Sequence, residues 1–162
     1  MEKINRMWYK LVMECGIFPS QKRGNDKDIY YYVNWSPLAK ADRYEINSKV
    51  PAIAGIYEIY WMDDQKKLRM FNVGITHYGG LRSEIRRLTD PDICEDAKTR
   101  AILEDKDIWY RYAPCSSAAN MSDVLWFLMS TYFPEDPKTE HSGRYRMIYL
   151  TESEPDKLIW VP

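Results

Sequence analysis

The stretch of sequence that decides the predicted fold is AIAGIYEIYWMDDQKKLRMFNVGITHYGGLR, residues 52–82. It contains two runs rich in β-branched and aromatic residues, 52–61 and 68–75, which are typical of strands. The polar segment MDDQKK between them is short enough to connect a β-hairpin. The chain has only seven glycines, and four of them lie in this stretch: Gly55, Gly74, Gly79 and Gly80. Such clustering indicates a backbone requirement, for example a bulge or a close approach near Gly74.

Hydrophobic periodicity predicts the elements on either side of the hairpin. Helices are expected over residues 3–15, 36–44, 81–88, 93–107 and 116–132, and further strands over 29–35, 108–114, 144–150 and 157–161. Gly16 and Pro19 are expected to end the first helix, and Ser36-Pro37 to begin the second. The predicted class is α+β, with a small antiparallel sheet around a central β-hairpin, flanking helices and an N-terminal helix and strand as an extension.

The chain has 162 residues, which predicts one domain. We divide it into an N-terminal extension (1–51), a core around the hairpin (52–135) and C-terminal strands (136–162). An apolar run such as 124–129 is far shorter than the ~20 residues of a membrane-spanning helix, so no membrane association is expected. Three scattered cysteines without a CxxC motif fit neither a disulfide framework nor a zinc site, and the sequence predicts a cytoplasmic, reduced protein.

The numbers of positive and negative residues are balanced over the whole chain, but they are unevenly distributed along the sequence. Lysine and arginine number 23 against 24 aspartates and glutamates, which argues against a broadly basic nucleic-acid-binding protein. One segment nevertheless holds six basic residues and a single acid, Glu84: Lys66, Lys67, Arg69, Arg82, Arg86 and Arg87. Such a local patch is suited to phosphate contacts. The aromatic content of 14% fits base stacking or a protein interface equally well.

The order of motifs in the hairpin region resembles the GIY-YIG nuclease family. Gly55-Ile56-Tyr57, a hairpin, Asn72-Val73-Gly74 and a helix that opens with Leu81-Arg82 follow one another, and the likeness extends over residues 52–135. The resemblance implies two motifs on adjacent antiparallel strands, then a helix with an essential arginine. It also implies hydrolysis of phosphodiester bonds, with two tyrosines and the arginine around the phosphate and a glutamate of a later helix binding Mg²⁺.

Only part of this site is matched here. Tyr57 corresponds to the first tyrosine, whereas Asn72 stands for the second; an asparagine can donate to phosphate but cannot act as a phenolate. Counting from Gly74 makes Arg82 the essential arginine, but matching the apolar face of the helix places Glu84 there instead. His77, in the loop before the helix, is a further acid–base candidate.

The metal-binding glutamate is not matched either. Leu125 occupies its place, and Asp123, expected early in its helix, is turned away by about 200°. Glu135 and Glu140 are loop carboxylates that could reach a site, so the metal ligands stay unassigned. No cofactor is certain, and Mg²⁺ or Mn²⁺ is expected if the protein is catalytic. The residues Cys115, Ser116 and Ser117 fit a helix cap better than a nucleophile.

Three functions are compatible with the sequence. The favoured one is a GIY-YIG-like domain that is catalytically degenerate and binds nucleic acid or a protein partner. The second is a divergent metal-dependent endonuclease that uses Tyr57, Arg82 and a relocated carboxylate. The third is a structural or interaction protein in which the motif resemblance is due to chance.

Overall fold

The computed structural model describes residues 14–136, 139–153 and 159–160. The helix predicted over residues 3–15 lies outside them except for its last two positions, which are not helical. The predicted α+β class is confirmed, because the described residues form four α-helices and two sheets that are mainly antiparallel. Among these residues, no helix has both the length and the apolar character needed to cross a membrane.

The strands and helices follow one another along the chain as follows. The strands are β1 (Gly16–Ser20), β2 (Asp28–Asn34), β3 (Ala39–Lys40), β4 (Gly55–Met62), β5 (Leu68–Thr76), β6 (Ile108–Pro114), β7 (Met147–Glu152) and β8 (Ile159–Trp160). The helices are α1 (Arg43–Lys49), α2 (Gly80–Thr89), α3 (Ala97–Asp105) and α4 (Ala118–Tyr132), and a 3₁₀ turn covers Pro91–Ile93. The predicted hairpin, the helix over 81–88 and the strand over 108–114 are confirmed.

The larger sheet has the order β3-β6-β4-β5-β8, with β4 at its centre. Strand β4 pairs antiparallel with both β5 and β6, and β8 lies parallel to β5. Helices α1, α2 and α3 cover one face through Ile46, Leu81, Ile85 and Leu103. The opposite face packs against α4 and the second sheet, whose core residues include Ile29, Tyr31 and Val33. Each side of β4 is therefore buried against a different layer.

The second sheet was not expected from the sequence. It has the order β1-β2-β7, and β7 runs parallel to β2. Strand β1 contains Gly16 and Pro19, the residues expected to end the first helix, and that helix lies outside the described residues except for its last two positions. Proline is tolerated in β1 because this strand lies at a sheet edge, where a missing N–H leaves no ladder hydrogen bond unmade.

The first residues of two helices differ from the prediction because the polar side chains nearby make other hydrogen bonds than expected. Ser36 does not cap a helix: its hydroxyl accepts from the backbone N of Tyr112 at 2.9 Å and thereby ties the chain to β6. Helix α1 begins instead after Asp42, whose carboxylate accepts from Tyr44 N and Glu45 N at 3.0 Å each. Helix α3 is shorter than the predicted 93–107 because Asp96 caps it through Thr99 N.

The start of α2 is held against the segment that precedes β4. Gly80 has φ +75°, and a Cβ there would lie 2.6 Å from the carbonyl carbon of Ala52. The next two backbone N–H groups, of Leu81 and Arg82, donate to Ile53 O and Pro51 O at 2.8 and 3.2 Å. These contacts set how the side chains of α2 meet the hairpin.

Candidate functional site

The side chain of Tyr57 lies across Gly74 on the hairpin. The two residues face each other in the antiparallel register, and a Cβ at position 74 would lie 2.7 Å from Tyr57 Cζ. Tyr57 is only 5% exposed. The close approach expected near Gly74 is therefore confirmed, with an aromatic ring as the neighbour. The bulge lies elsewhere in the hairpin, between Ile59 and Tyr60.

The hydroxyl of Tyr57 is hydrogen-bonded to helix α2. It donates to Glu84 Oε1 at 3.4 Å, and Arg87 binds the same carboxylate through two donors at 2.7 and 3.1 Å. We call Tyr57, Glu84 and Arg87 the helix-side cluster. Burial first, then the charge of Glu84 and the hydrogen bond to it, raise the pKa of Tyr57. The phenol is therefore held neutral and poorly suited to act as a base.

The side chain of Arg82 leaves the helix in a different direction from that of Glu84. Its Nε donates to the carbonyl oxygen of Val50 at 2.7 Å. Leu81 and Ile85 are the buried side chains of α2 that form its apolar face, as the alternative match assumes. Glu84, not Arg82, is the α2 residue hydrogen-bonded to the tyrosine. Of the two residues that the sequence left open, Glu84 is the one beside Tyr57, and Arg82 stays a candidate for contacts elsewhere on α2.

Three arginines of α2 nevertheless share one surface. A shallow depression of about 270 Å³ lies between α1 and α2, and we call it the arginine depression: it is lined by Asn47, Arg82, Ser83, Arg86, Arg87 and Ile93. Arg86 donates to Asn47 Oδ1 at 3.2 Å and lies 4.0 Å from the Asp90 carboxylate. Arg87 belongs both to this depression and to the helix-side cluster, so the two form one continuous site.

Asn72 and His77 occupy different surroundings. Asn72 pairs with Ile59, two positions from the pair Tyr57–Gly74, so it lies on the same face of the sheet as Tyr57. It is partly exposed there. His77 is exposed in the loop between β5 and α2. The structure therefore places Asn72 on the same face of the sheet as Tyr57 and leaves His77 exposed.

The basic residues of the hairpin connection form a separate group. Lys66 has φ 64° at the turn, and Arg69 is paired with Asp63 at 3.1 Å. The same Asp63 accepts from the backbone N of Lys67 at 2.9 Å. Asp63 thus organises this turn, whereas the arginines at positions 82, 86 and 87 belong to helix α2. The basic segment of the sequence is divided between two elements.

The carboxylates considered as metal ligands serve other purposes or lie in solvent. Asp123 is fully buried and accepts from Tyr31 Oη at 2.6 Å, Ser142 N at 2.8 Å and Arg144 Nη2 at 3.1 Å. Although burial opposes it, these hydrogen bonds lower the pKa of Asp123. Glu135 and Glu140 are exposed, and Leu125 packs on the core. In the described ranges, no three His, Cys, Asp or Glu side chains form a group able to hold a metal ion.

A second group of charged residues, which the sequence analysis did not identify, lies between the two sheets. Glu58, on β4, is fully buried and accepts from Arg111 Nε at 2.6 Å and from the hydroxyl of Tyr60. Arg111 Nη2 also reaches Glu152 Oε1 at 3.4 Å, across to β7. We call Glu58, Tyr60, Arg111 and Glu152 the inter-sheet cluster. The sequence contained only one signal of the inter-sheet cluster. An acid lies inside an otherwise apolar strand, opposite an arginine in another strand.

A larger cavity lies away from these clusters, where β1 and the end of β6 meet the start of α4. Its volume is about 760 Å³, and its lining includes Cys15, Phe18, Cys115, Ser117 and Asn120. Ser117 caps α4 by accepting from Asn120 N at 3.2 Å, so the predicted capping role is confirmed. Burial raises the pKa of the Cys115 thiol, which disfavours the thiolate that a nucleophile requires.

The chemistry available at the helix-side cluster follows from its charges. A phosphate that approached the Tyr57 hydroxyl would meet the carboxylate of Glu84 first, and like charges at short range repel. The arginine depression beside it offers guanidinium groups, of which that of Arg82 is hydrogen-bonded to a neutral carbonyl and not to a carboxylate. The depression thus presents cationic groups, whereas the carboxylate of Glu84 faces the tyrosine hydroxyl.

Comparisons with known proteins place the chain in a family. No curated protein and no solved structure matches it. A family model described as "Uncharacterised protein" matches residues 20–162. The match includes the hairpin, the helix-side cluster and the inter-sheet cluster. Since it extends over most of the sequence, the chain belongs to this family of uncharacterised proteins.

Proposed function

We propose that this chain is a GIY-YIG-like domain that binds nucleic acid without cleaving it. The observation that carries the proposal is the hydrogen bond from Tyr57 to Glu84. In a phosphodiesterase site of this type, the tyrosine needs an open side toward the phosphate. Here that hydroxyl donates to a carboxylate, which opposes an incoming anion and stabilises the neutral phenol.

The order of the elements supports the comparison with the nuclease family. Gly55-Ile56-Tyr57 and Asn72-Val73-Gly74 lie on adjacent antiparallel strands, and the helix α2 follows them directly. Strand β6 then pairs with the other edge of β4, and α4 comes next. This is the sequence of elements that the motif resemblance implies.

Binding of nucleic acid is supported by the arginine depression. Guanidinium groups recognise phosphate oxygens with two parallel hydrogen bonds, and Arg82, Arg86 and Arg87 lie around one concave surface. Tyr44, on α1 and one turn before Asn47, is 77% exposed. An exposed ring beside a basic surface provides a stacking position for a base.

The proposal is tested by fluorescence anisotropy with labelled DNA and RNA at low and at physiological salt. Binding is expected to weaken as salt rises, and the double variant R82A/R86A is expected to bind about tenfold more weakly than the wild type at equal salt. The matched control K40A/K98A removes the same charge from exposed positions outside the arginine depression and is expected to bind like the wild type. Equal losses in both variants contradict a specific site.

Cleavage is measured on the same oligonucleotides with Mg²⁺ and with Mn²⁺. The substrates are expected to stay intact in both metals. Cleavage by the wild type that Tyr57→Phe abolishes would instead establish the divergent endonuclease. The absence of any binding at low salt would leave protein interaction as the function.

A further inference from the structure

The solvent-facing side of the three-stranded sheet is unusually aromatic. Along β1, β2 and β7 the residues alternate, so that Ile29, Tyr31, Val33 and Ile148 face the core. Apart from Asp28, the alternate positions are uncharged and lie on the other face of this sheet; we call five of them the tyrosine face: Phe18, Tyr30, Tyr32, Met147 and Tyr149. A sheet with one solvated side is ordinarily polar on that side. This one places large apolar side chains there.

The rings of the tyrosine face are arranged as neighbouring pairs. Tyr30 and Tyr149 are partners in the parallel register, and their rings stack with centroids 4.7 Å apart and an angle of 13° between their planes. Phe18 and Tyr32 are partners in the antiparallel pairing of β1 with β2. Phe18, Met147 and Tyr149 are 43, 44 and 39% exposed. The rings thus form a partly exposed aromatic surface across the three strands.

Positive charge borders this surface. Lys22 lies with its Nζ 5.2 Å from the centroid of the Tyr30 ring. Exposed cations of the adjoining segments join it: Arg23 and Lys27 before β2, and Arg146 before β7. The acids in the same segments are Asp26, Asp28 and Glu140, and Arg146 lies 3.7 Å from the Asp28 carboxylate. Cations therefore outnumber carboxylates around the rings.

We propose that the tyrosine face binds single-stranded nucleic acid. Aromatic rings stack on bases of any sequence, and cations at the border bind the phosphates that connect those bases. Charge complementarity decides the occupant: an uncharged apolar protein surface would gain nothing from Lys22 and Arg146. A duplex presents its phosphates but keeps its bases stacked internally, so the rings would contribute nothing to binding it.

This surface is distinct from the arginine depression. The three-stranded sheet and α4 cover one side of the five-stranded sheet, whereas α1 and α2 cover the other. The inference does not rest on the proposed function, because it uses none of the residues of the helix-side cluster. Either surface can be removed by substitution while the other is left unchanged.

The experiment compares single-stranded and duplex oligonucleotides of the same sequence by anisotropy. Tyr149→Leu keeps an apolar side chain but removes the ring, and Tyr30→Leu does the same on β2. Each is expected to bind the single strand about tenfold more weakly and the duplex unchanged. Tyr78→Leu is the matched control, since Tyr78 is a fully solvent-accessible tyrosine elsewhere, and it is expected to bind like the wild type. Thermal denaturation of each variant confirms that the fold is retained.

The outcomes separate this inference from the proposed function. Weaker single-strand binding in the Tyr149 and Tyr30 variants, with R82A/R86A unchanged, supports the tyrosine face and contradicts the arginine depression. Single-strand binding that is unchanged in folded Tyr149 and Tyr30 variants overturns the inference. So does the absence of single-strand binding by the wild type at low salt.

Discussion

Tyrosine, glutamate and arginine form a cluster on each side of strand β4. The two clusters differ mainly in how far their side chains are exposed to solvent. In the helix-side cluster, the Glu84 side chain is 25% exposed and that of Arg87 is 59% exposed. In the inter-sheet cluster, Glu58 is fully buried and Arg111 nearly so. The same residue types therefore give a weak surface ion pair on one side and a strongly coupled internal network on the other.

The comparison explains why only one cluster is a candidate for binding. An exposed pair exchanges partners with little cost, so Arg87 is free to turn from Glu84 to a phosphate. Arg111 lies between two carboxylates and over the Trp35 ring at 4.7 Å, and it joins the two sheets. We infer that the inter-sheet cluster stabilises the packing of the layers.

The largest expected effect comes from removing the internal cation. Arg111→Met leaves Glu58 and Glu152 without their shared partner, and we expect a loss of about 3–5 kcal/mol in the free energy of unfolding at neutral pH. Arg87→Met is the matched change in the helix-side cluster and is expected to cost less than about 1 kcal/mol. Urea denaturation measures both, and similar losses would contradict the difference drawn between the clusters.

The second effect is a pH dependence that belongs to the inter-sheet cluster alone. Burial raises the pKa of Glu58 to about 7, which the charge of Arg111 opposes and that of Glu152 reinforces. Its Oε1 is buried without a hydrogen-bond partner among the described residues, so protonation of this oxygen breaks no hydrogen bond. The folded protein thus holds a proton that the unfolded chain releases near pH 4.5.

Because the folded-state pKa is raised, the contribution of Glu58 to stability is complete below about pH 4.5 and is lost as pH rises through about 7. The loss amounts to at most about 3 kcal/mol. Glu58→Gln mimics the protonated form and should remove this part of the pH dependence, which denaturation at several pH values measures. Glu84→Gln serves as the control, and an unchanged profile in Glu58→Gln would contradict the assignment.

The smallest effect on stability, and a gain in binding, is expected for Glu84→Gln. The substitution removes the carboxylate that faces Tyr57 and releases Arg87, at a cost of less than about 1 kcal/mol in the free energy of unfolding. Removing one negative charge near a bound phosphate is worth about 1 kcal/mol, or roughly fivefold in affinity. Anisotropy at low salt measures the change. Weaker binding by the folded variant would show that Glu84 does not oppose the nucleic acid.

The hairpin was predictable because its signals are local. Two strand-forming runs, a short polar connection and a helix with Leu81 and Ile85 on one face need no distant contact to be recognised. Position 74 was also identified as special, although the sequence did not show that the Tyr57 ring requires it. The three-stranded sheet was missed, because its strand β7 is parallel to β2 and separated from it by more than a hundred residues.

The sequence by itself determined the α+β class, the central hairpin, the helix that follows it and the candidate residues Tyr57, Arg82 and Glu84. It left open which residue of α2 meets the tyrosine, since a helix can be matched by spacing or by its apolar face. Tertiary packing decided this: burial of Leu81 and Ile85 turns Glu84 toward the hairpin and Arg82 toward Val50. The register of β4 with β6 joined Glu58 to Arg111, and the packing of the two sheets brought Glu152 to the same arginine, because buried charges need a partner.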